Sequence, residues 1–277
     1  MGMRISTNVS ALNVQRNLAN SQRVIQTSMG QLASGSRINK GADDAAGLAI
    51  SEGLKAQMRS GMQAARNAND GISMIQTAEG GLGEISNITT RIRELAMQSA
   101  SDNVSDRERG FLNKEVDQLK SEIDRIANVT TWGRTKLLDG NSPTFEFQVG
   151  LYGDEKDDRI AWDPSVNNAT LSGLSLEGLD FASKESARDA LAVIDDAQLN
   201  VNGMRANLGA LQNRMTSAAD NLLVQHENLS SANSRIRDTD IAQASSEMTR
   251  NNILLQSGIA TMAQANSVSA AALKLIG

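Results

Sequence analysis

Between Met204 and Ile236 the apolar residues recur at alternating gaps of four and three: Met204, Leu208, Leu211, Met215, Ala218, Leu222, then Leu229, Ala232 and Ile236, with Gln225 in the one missing place. A period of 3.5 residues predicts a helix whose apolar seam winds left-handed around another seam. No proline interrupts it. A helix of this kind gains most of its stability by burying its stripe, so the pattern asks where the partner seams lie.

The first half of the chain supplies them. Ala11, Leu18, Ile25 and Leu32 stand seven apart in a body of Ser, Asn, Gln and Thr, with Val14 and Met29 beside them. So polar a segment is a poor independent folder, and it is expected to stay frayed until a partner covers the stripe. Gly35 and Gly41 bracket a short break, and Asp43-Asp44 provide the acidic first turn that suits a helix dipole. The helical phase then runs from Ala45 through Ile72, Leu82, Ile92 and Leu95. It continues across Gly71 and the pair Gly80-Gly81, so these glycines read as bends or close helix contacts rather than turns. After a break at Ser101–Ser105, Leu112, Val116, Leu119, Ile123 and Ile126 form another stripe.

The character changes after Val129. Phe145, Phe147, Val149 and Leu151 alternate with polar residues or glycine, which is strand spacing. Gly153–Asp158 reads as a turn and Arg159–Trp162 as the returning strand. Helical composition resumes at Lys184. In the tail Ile241, Met248, Leu255 and Met262 again lie seven apart, matching the head in kind. The expected fold is mainly α: a long antiparallel helical rod with paired N- and C-terminal coiled-coil helices and a small β-hairpin region. Three regions follow: a terminal coiled-coil domain of 1–40 and 237–277, a helical rod of 41–140 and 184–236, and a β/loop region at 141–183.

Composition narrows the function. Aromatics make up 3% of the 277 residues and there are 2 prolines, so the core must come from aliphatic residues on extended helices. With no cysteine and one histidine, His226, thiolate and imidazole chemistry are nearly excluded. No nucleophile with a base, phosphate loop or metal-ligand cluster is legible, so no enzyme and no cofactor are expected. The net charge is -5, while residues 1–40 carry five basic residues and no acid. No basic patch is interleaved with aromatics, which argues against nucleic acid. No apolar run approaches the roughly 20 residues of a membrane span, and the start lacks the apolar core of a secretory signal. The chain either stays in the cytosol or leaves by a route that does not use that signal.

Several segments together resemble bacterial flagellin: Arg4-Ile5-Ser6-Thr7-Asn8, Leu32-Ala33-Ser34-Gly35-Ser36-Arg37-Ile38-Asn39, Asp43-Asp44-Ala45-Ala46-Gly47, Ala65 to Ser73, Arg93-Glu94-Leu95-Ala96, Ser234-Arg235-Ile236, Asp238-Thr239-Asp240 and Met262-Ala263-Gln264-Ala265-Asn266. They occur in the family's order at both ends of the chain. Two departures stand out. Met1-Gly2-Met3 is one residue longer than expected, and Thr131-Trp132-Gly133-Arg134 stands where the family usually has Phe and Asn around the glycine, which leaves the local turn open.

The resemblance implies a structural subunit that self-assembles through its terminal helices into the extracellular flagellar filament for swimming, with a reduced outer region. The alternative is a hook–filament junction protein, or another interaction protein, that forms no long filament. Implied assembly residues are Ala11, Leu18, Ile25 and Leu32 with Met248, Leu255 and Met262; their bland reading is the core of a closed bundle. Implied partners are further copies of the chain, an export chaperone docking on Ile236 to Gly277, and the filament cap and junction proteins. Toll-like receptor 5 is a further one, through a patch at Arg91, Leu95 and Glu115, with Thr90 where the family often has Gln. The family's export route uses the flagellar secretion channel without a cleaved signal peptide. O-linked sugars on Thr170, Ser172 or Ser175 are compatible with it.

Other matches carry less. Gly2 with Ser6 fits a myristoylation pattern, and several Asn-X-Ser/Thr triplets fit N-glycosylation, as a chain this rich in Asn and Ser produces by chance. Asp154, Glu155, Asp157 and Asp158 lack calcium-loop spacing and read as a solvated turn.

Overall fold

A computed structural model describes residues 7–274, and side chains up to 267. The start Met1-Gly2-Met3, the Gly2/Ser6 pattern, the Arg4-Ile5-Ser6 part of the opening motif and the tail's last three residues lie outside the described residues. Five α-helices follow in order, α1 (Val9–Ser34), α2 (Ala45–Ser99), α3 (Asp106–Val129), α4 (Lys184–Arg237) and α5 (Ile241–Lys274). Between α3 and α4 lie β1 (Thr131–Trp132), β2 (Thr135–Lys136), β3 (Phe145–Gln148), β4 (Arg159–Trp162) and a 3-10 turn at Pro164–Asn167. The mainly α expectation holds, with two small two-stranded antiparallel sheets.

The helices begin and end where side chains or glycine can satisfy their terminal backbone groups. Asn8 accepts from the Ala11 N–H at the start of α1, and Gly35 closes it in the left-handed conformation, φ 67°. Glu108 accepts from both the backbone N–H (2.8 Å) and Oγ (2.7 Å) of Ser105 before α3, a bond pattern that uses a third-position acid to hold the cap.

Contacts divide the chain into two compact units. The second, Met58–Glu227, holds the core. Ile75, Leu82, Ile85 and Ile92 of α2, Val116 and Ile123 of α3, and Ile194, Val201, Leu208 and Met215 of α4 are buried in one cluster with Leu137, Leu138, Leu174 and Phe181 from the connecting segment. The expected seams thus meet in this unit, and the β/loop segment at 141–183 shares their core. α2 is continuous through its glycines, of which Gly71 and Gly81 mark close contacts while Gly80 does not. A Cβ on Gly71 would stand 2.8 Å from Met215 Sδ and 3.0 Å from Phe147 Cδ1, and one on Gly81 2.7 Å from Thr130 Oγ1.

In the hairpin β3–β4, Phe145 pairs with Trp162 and Gln148 with Arg159. The two rings stack at 5.7 Å. The buried Arg109 joins helix ends by donating to Ser99 O (2.9 Å), Ser101 O (2.8 Å) and Asp106 Oδ1 (2.7 Å).

The first unit joins the chain up to Gln57 with the chain from Asn228 on. Here α1 and α5 run antiparallel: Asn8 Nδ2 donates to Ala265 O (3.0 Å), Leu18 faces Gly258, and Ser36 bridges Asp238. Thr239 N–H donates to Gly35 O (3.0 Å) and Arg37 Nη2 to Ile236 O (2.8 Å). Arg237 pairs with Glu52. Each terminal helix is therefore the other's first partner.

Candidate assembly surface

The two helices of the first unit cover one face of each other and no more. Ala11, Leu18, Ile25 and Leu32 all lie on the face of α1 that is half-buried, and Met248, Leu255 and Met262 on the corresponding face of α5. The predicted stripes are thus brought together as a seam within one chain. That seam is thin. The one fully buried α1 residue is Ser28, and both hydrophobic core clusters lie between residues 64 and 222, in the other unit.

A second apolar set stays outside the seam, and of its members the seven-residue reading names only Met29, beside the first stripe. Val9 (56% exposed), Leu12 (51%) and Met29 on α1, and Ile253 (60%), Leu254 (52%) and Ile259 on α5, remain in contact with solvent. The sequence did carry a signal for it: Val9, Leu12, Arg16 and Ala19 follow gaps of three, four and three on the face opposite the first stripe. Covering six half-exposed side chains of this size contributes about 1 kcal/mol each. Arg16 and Arg23 are the only charged residues of α1, and their guanidinium groups donate to Asn13 and Asn20. Few like charges oppose close approach of further copies.

The receptor-patch residues separate. Arg91 and Glu115 meet across α2 and α3, with Nη2 2.8 Å from Glu115 Oε1 and Nη1 2.9 Å from Glu94 Oε2. The Glu115 hydrogen bond, then that of Glu94, raises the Arg91 pKa above its ordinary value. Leu95 does not share that surface: it is 1% exposed and belongs to the core. Among the three hydroxyls, Thr170 is engaged with Asn168 Oδ1 (2.7 Å), while Ser172 and Ser175 are exposed. In the acidic turn, Asp158 is buried and accepts from the Asp154 N–H (3.1 Å), so this acid ties its own loop.

Long helices flanking a small β segment, with a terminal pair that keeps large apolar residues outward, define a helical assembly subunit. Comparison with known proteins identifies the class. Residues 5–143 match the bacterial flagellin N-terminal helical region and residues 191–276 the bacterial flagellin C-terminal helical region. A flagellin of Halalkalibacterium halodurans is 42% identical over 274 residues, covering 99% of this chain and 100% of the relative. A flagellin of Bacillus subtilis is 39% identical over 305 residues, with the same coverage. A flagellar filament core protein of Brachyspira hyodysenteriae is 38% identical over 286 residues, again covering 99% and 100%. The crystal structure of Bacillus cereus flagellin matches 57% of this chain and 88% of its own with a TM-score of 0.50 at 29% identity.

The chain belongs to the bacterial flagellin family. It is a structural subunit of the flagellar filament, an extracellular appendage, and the junction alternative is not favoured. No described helix is long and apolar enough to cross a membrane.

Proposed function

We propose that this subunit assembles by packing its α1–α5 pairs side by side around a common axis, so that each copy covers the outward Val9/Leu12 and Ile253/Leu254 faces of its neighbours. One observation carries the reading: among the described residues the terminal unit has no hydrophobic core cluster of its own, yet it exposes eight large apolar side chains, Ile50 and Ile241 among them. A surface that meets a different surface on the next copy, with a rotation that does not close, propagates as an open helix. The segments 1–40 and 237–277 then form the inner tube, 41–140 and 184–236 the surrounding helical layer, and 141–183 the outer region. The intrachain stripes Ala11, Leu18, Ile25, Leu32, Met248, Leu255 and Met262 hold each pair in the register that presents those outer faces.

Before assembly the outer α5 face needs cover, which suits an export chaperone receiving a helix in a groove. The cap and junction proteins of the filament contact the same terminal unit, and the chain passes through the flagellar channel without a cleaved signal peptide. Recognition by Toll-like receptor 5 uses the exposed Arg91–Glu115 pair, with Leu95 supporting it from the core. Ser172 and Ser175 are the accessible positions for O-linked sugars.

The test is seeded polymerisation followed by electron microscopy, comparing the full chain with a Leu12→Asp/Leu254→Asp variant. Both substitutions lie outside the α1–α5 seam. Long filaments from the unaltered chain and none from the variant are expected. Filaments of equal length from both would overturn the assignment of these faces.

A further inference from the structure

The last inward residue of β4 is Trp162, 5% exposed, with its indole stacked on Phe145. Asp163 follows and caps the 3-10 turn Pro164–Asn167 by accepting the Ser165 N–H (2.9 Å). The turn ends on Asn167, 2% exposed. Trp162 Nε1 and Asn167 Oδ1 are both shielded from solvent, and neither has a hydrogen-bond partner in the protein. One is a donor and the other an acceptor, yet they do not bond each other. Buried polar groups of this kind are costly unless a further group reaches them.

Both side chains line one cavity of about 260 Å³ between this turn and α4. That is several times the roughly 30 Å³ of a water molecule and lies near the lower edge of small-molecule sites. Leu211 and Val166 give it apolar wall, and Asp163 and Arg214 line it from exposed positions. The Ser165 side chain, then its backbone N–H, holds the Asp163 carboxyl below its ordinary value of 3.8, so it is ionised at neutral pH.

The polar groups decide what fits. Trp162 Nε1 and Arg214 only donate, whereas Asn167 Oδ1 and the ionised Asp163 only accept. A carboxylate or phosphate would set acceptors against the Asn167 and Asp163 oxygens. An amine would set donors against Trp162 and Arg214. A hydroxyl donates and accepts, so a ligand carrying several hydroxyls on an apolar ring meets every wall.

We propose that this cavity binds a neutral sugar residue of monosaccharide size, whose hydroxyls accept from Trp162 Nε1, donate to Asn167 Oδ1 and meet Arg214 at the mouth, with ring C–H groups against Leu211. The site lies within one copy of the chain and does not depend on the filament reading. The same chemistry serves a free sugar and the terminal residue of a glycan.

The chain's two tryptophans give two indole N–H signals in a proton–nitrogen correlation spectrum of the full-length free subunit. Trp162 reports the cavity, and Trp132, 41% exposed, is the internal control, assigned with Trp132→Phe. The probes are glucose, galactose, mannose and N-acetylglucosamine, with their methyl glycosides, beside acetamide and inorganic phosphate. At least one sugar is expected to move the Trp162 signal saturably, with a Kd on the order of 1 mM, and to leave Trp132 in place. Arg214→Ala, at an exposed position, raises that Kd about tenfold while the Trp162 signal without sugar stays where it was. A methyl glycoside that binds as well as its free sugar supports a glycan terminus as the source, and one that does not supports the free sugar. No saturable Trp162 shift with any of the four sugars, whether acetamide shifts it or not, overturns the proposal. Equal shifts of both indoles, or unchanged affinity in Arg214→Ala, overturn the cavity as the site.

Discussion

Leu18 occupies the notch that Gly258 leaves in α5: a Cβ at Gly258 would come within 2.7 Å of Leu18 Cδ2 and 3.2 Å of its Cγ. The glycine is therefore a packing device in the seam, placed where a leucine of the facing helix comes closest. Gly258→Val should part the two helices and raise the critical concentration for seeded polymerisation about tenfold or more, since overpacking typically costs 1–3 kcal/mol, roughly a factor of five to a hundred and fifty. Leu18→Ala in the same chain should recover part of that loss, a coupling that a double-mutant cycle measures. Equal loss in the single and double variants would place the effect elsewhere.

Two glycines of α2 should respond with opposite sign to the same change. Replacing either by alanine gains up to about 1 kcal/mol of helix propensity. At Gly80 nothing lies within 4 Å of the added Cβ, whereas at Gly71 it meets Met215 Sδ at 2.8 Å and Phe147 Cδ1 at 3.0 Å. Gly80→Ala should raise the urea midpoint. Gly71→Ala should lower it, by about 1–2 kcal/mol of stability after the propensity gain is set against overpacking.

Arg109 holds two carbonyls at the end of α2 from a buried position. Arg109→Met keeps the apolar stem and leaves Ser99 O and Ser101 O without their donor. The expected loss is about 2–4 kcal/mol in urea unfolding, with Arg109→Lys restoring less than half because a single ammonium cannot span three acceptors. A loss under about 0.5 kcal/mol would mean water replaces the guanidinium freely.

Acid should weaken the fold through three exposed pairs. Glu52 is held below the ordinary glutamate value of 4.5 first by its Arg237 hydrogen bond and then by Lys55. Asp102 is lowered by Lys184, and Asp195 by Arg93, each below the ordinary aspartate value of 3.8. A carboxyl whose folded pKa is depressed contributes its full stability above the unfolded value and loses it as pH falls through the folded one. Thermal midpoints should therefore be flat above about pH 4.5 for the Glu52 pair and above about pH 3.8 for the aspartates, then fall on further acidification. Glu52→Gln should remove its share of the slope, and added salt should shrink it.

The α4 seam was legible because its heptad is strict: Leu208, Leu211, Met215 and Leu222 are all buried. The gap at Gln225 also had meaning, since the division between the two compact units falls at Glu227 and Asn228. Gly71 was readable as a close contact because the apolar phase continued across it. Arg109 was not, because an arginine at the start of a helix reads as a surface charge until its acceptors are in place. Leu95 belongs to the stripe of Ile88 and Ile92, and periodicity put it in the core while the family motif put it on the surface. The outer faces of α1 and α5 were hidden behind the clearer seven-residue repeat, which registers the first partner of a helix and not its second.

In the proposed assembly the terminal unit, which among the described residues has no hydrophobic core cluster of its own, is completed by neighbouring copies. Amide hydrogen exchange of the free subunit and of filaments grown from it tests this most directly. Weak protection across Val9–Ser34 and Ile241–Lys274 in the free chain, rising by orders of magnitude in the filament, is expected, with the buried helices of Met58–Glu227 protected in both. Strong protection of α1 and α5 in the free subunit, unchanged on assembly, would contradict it.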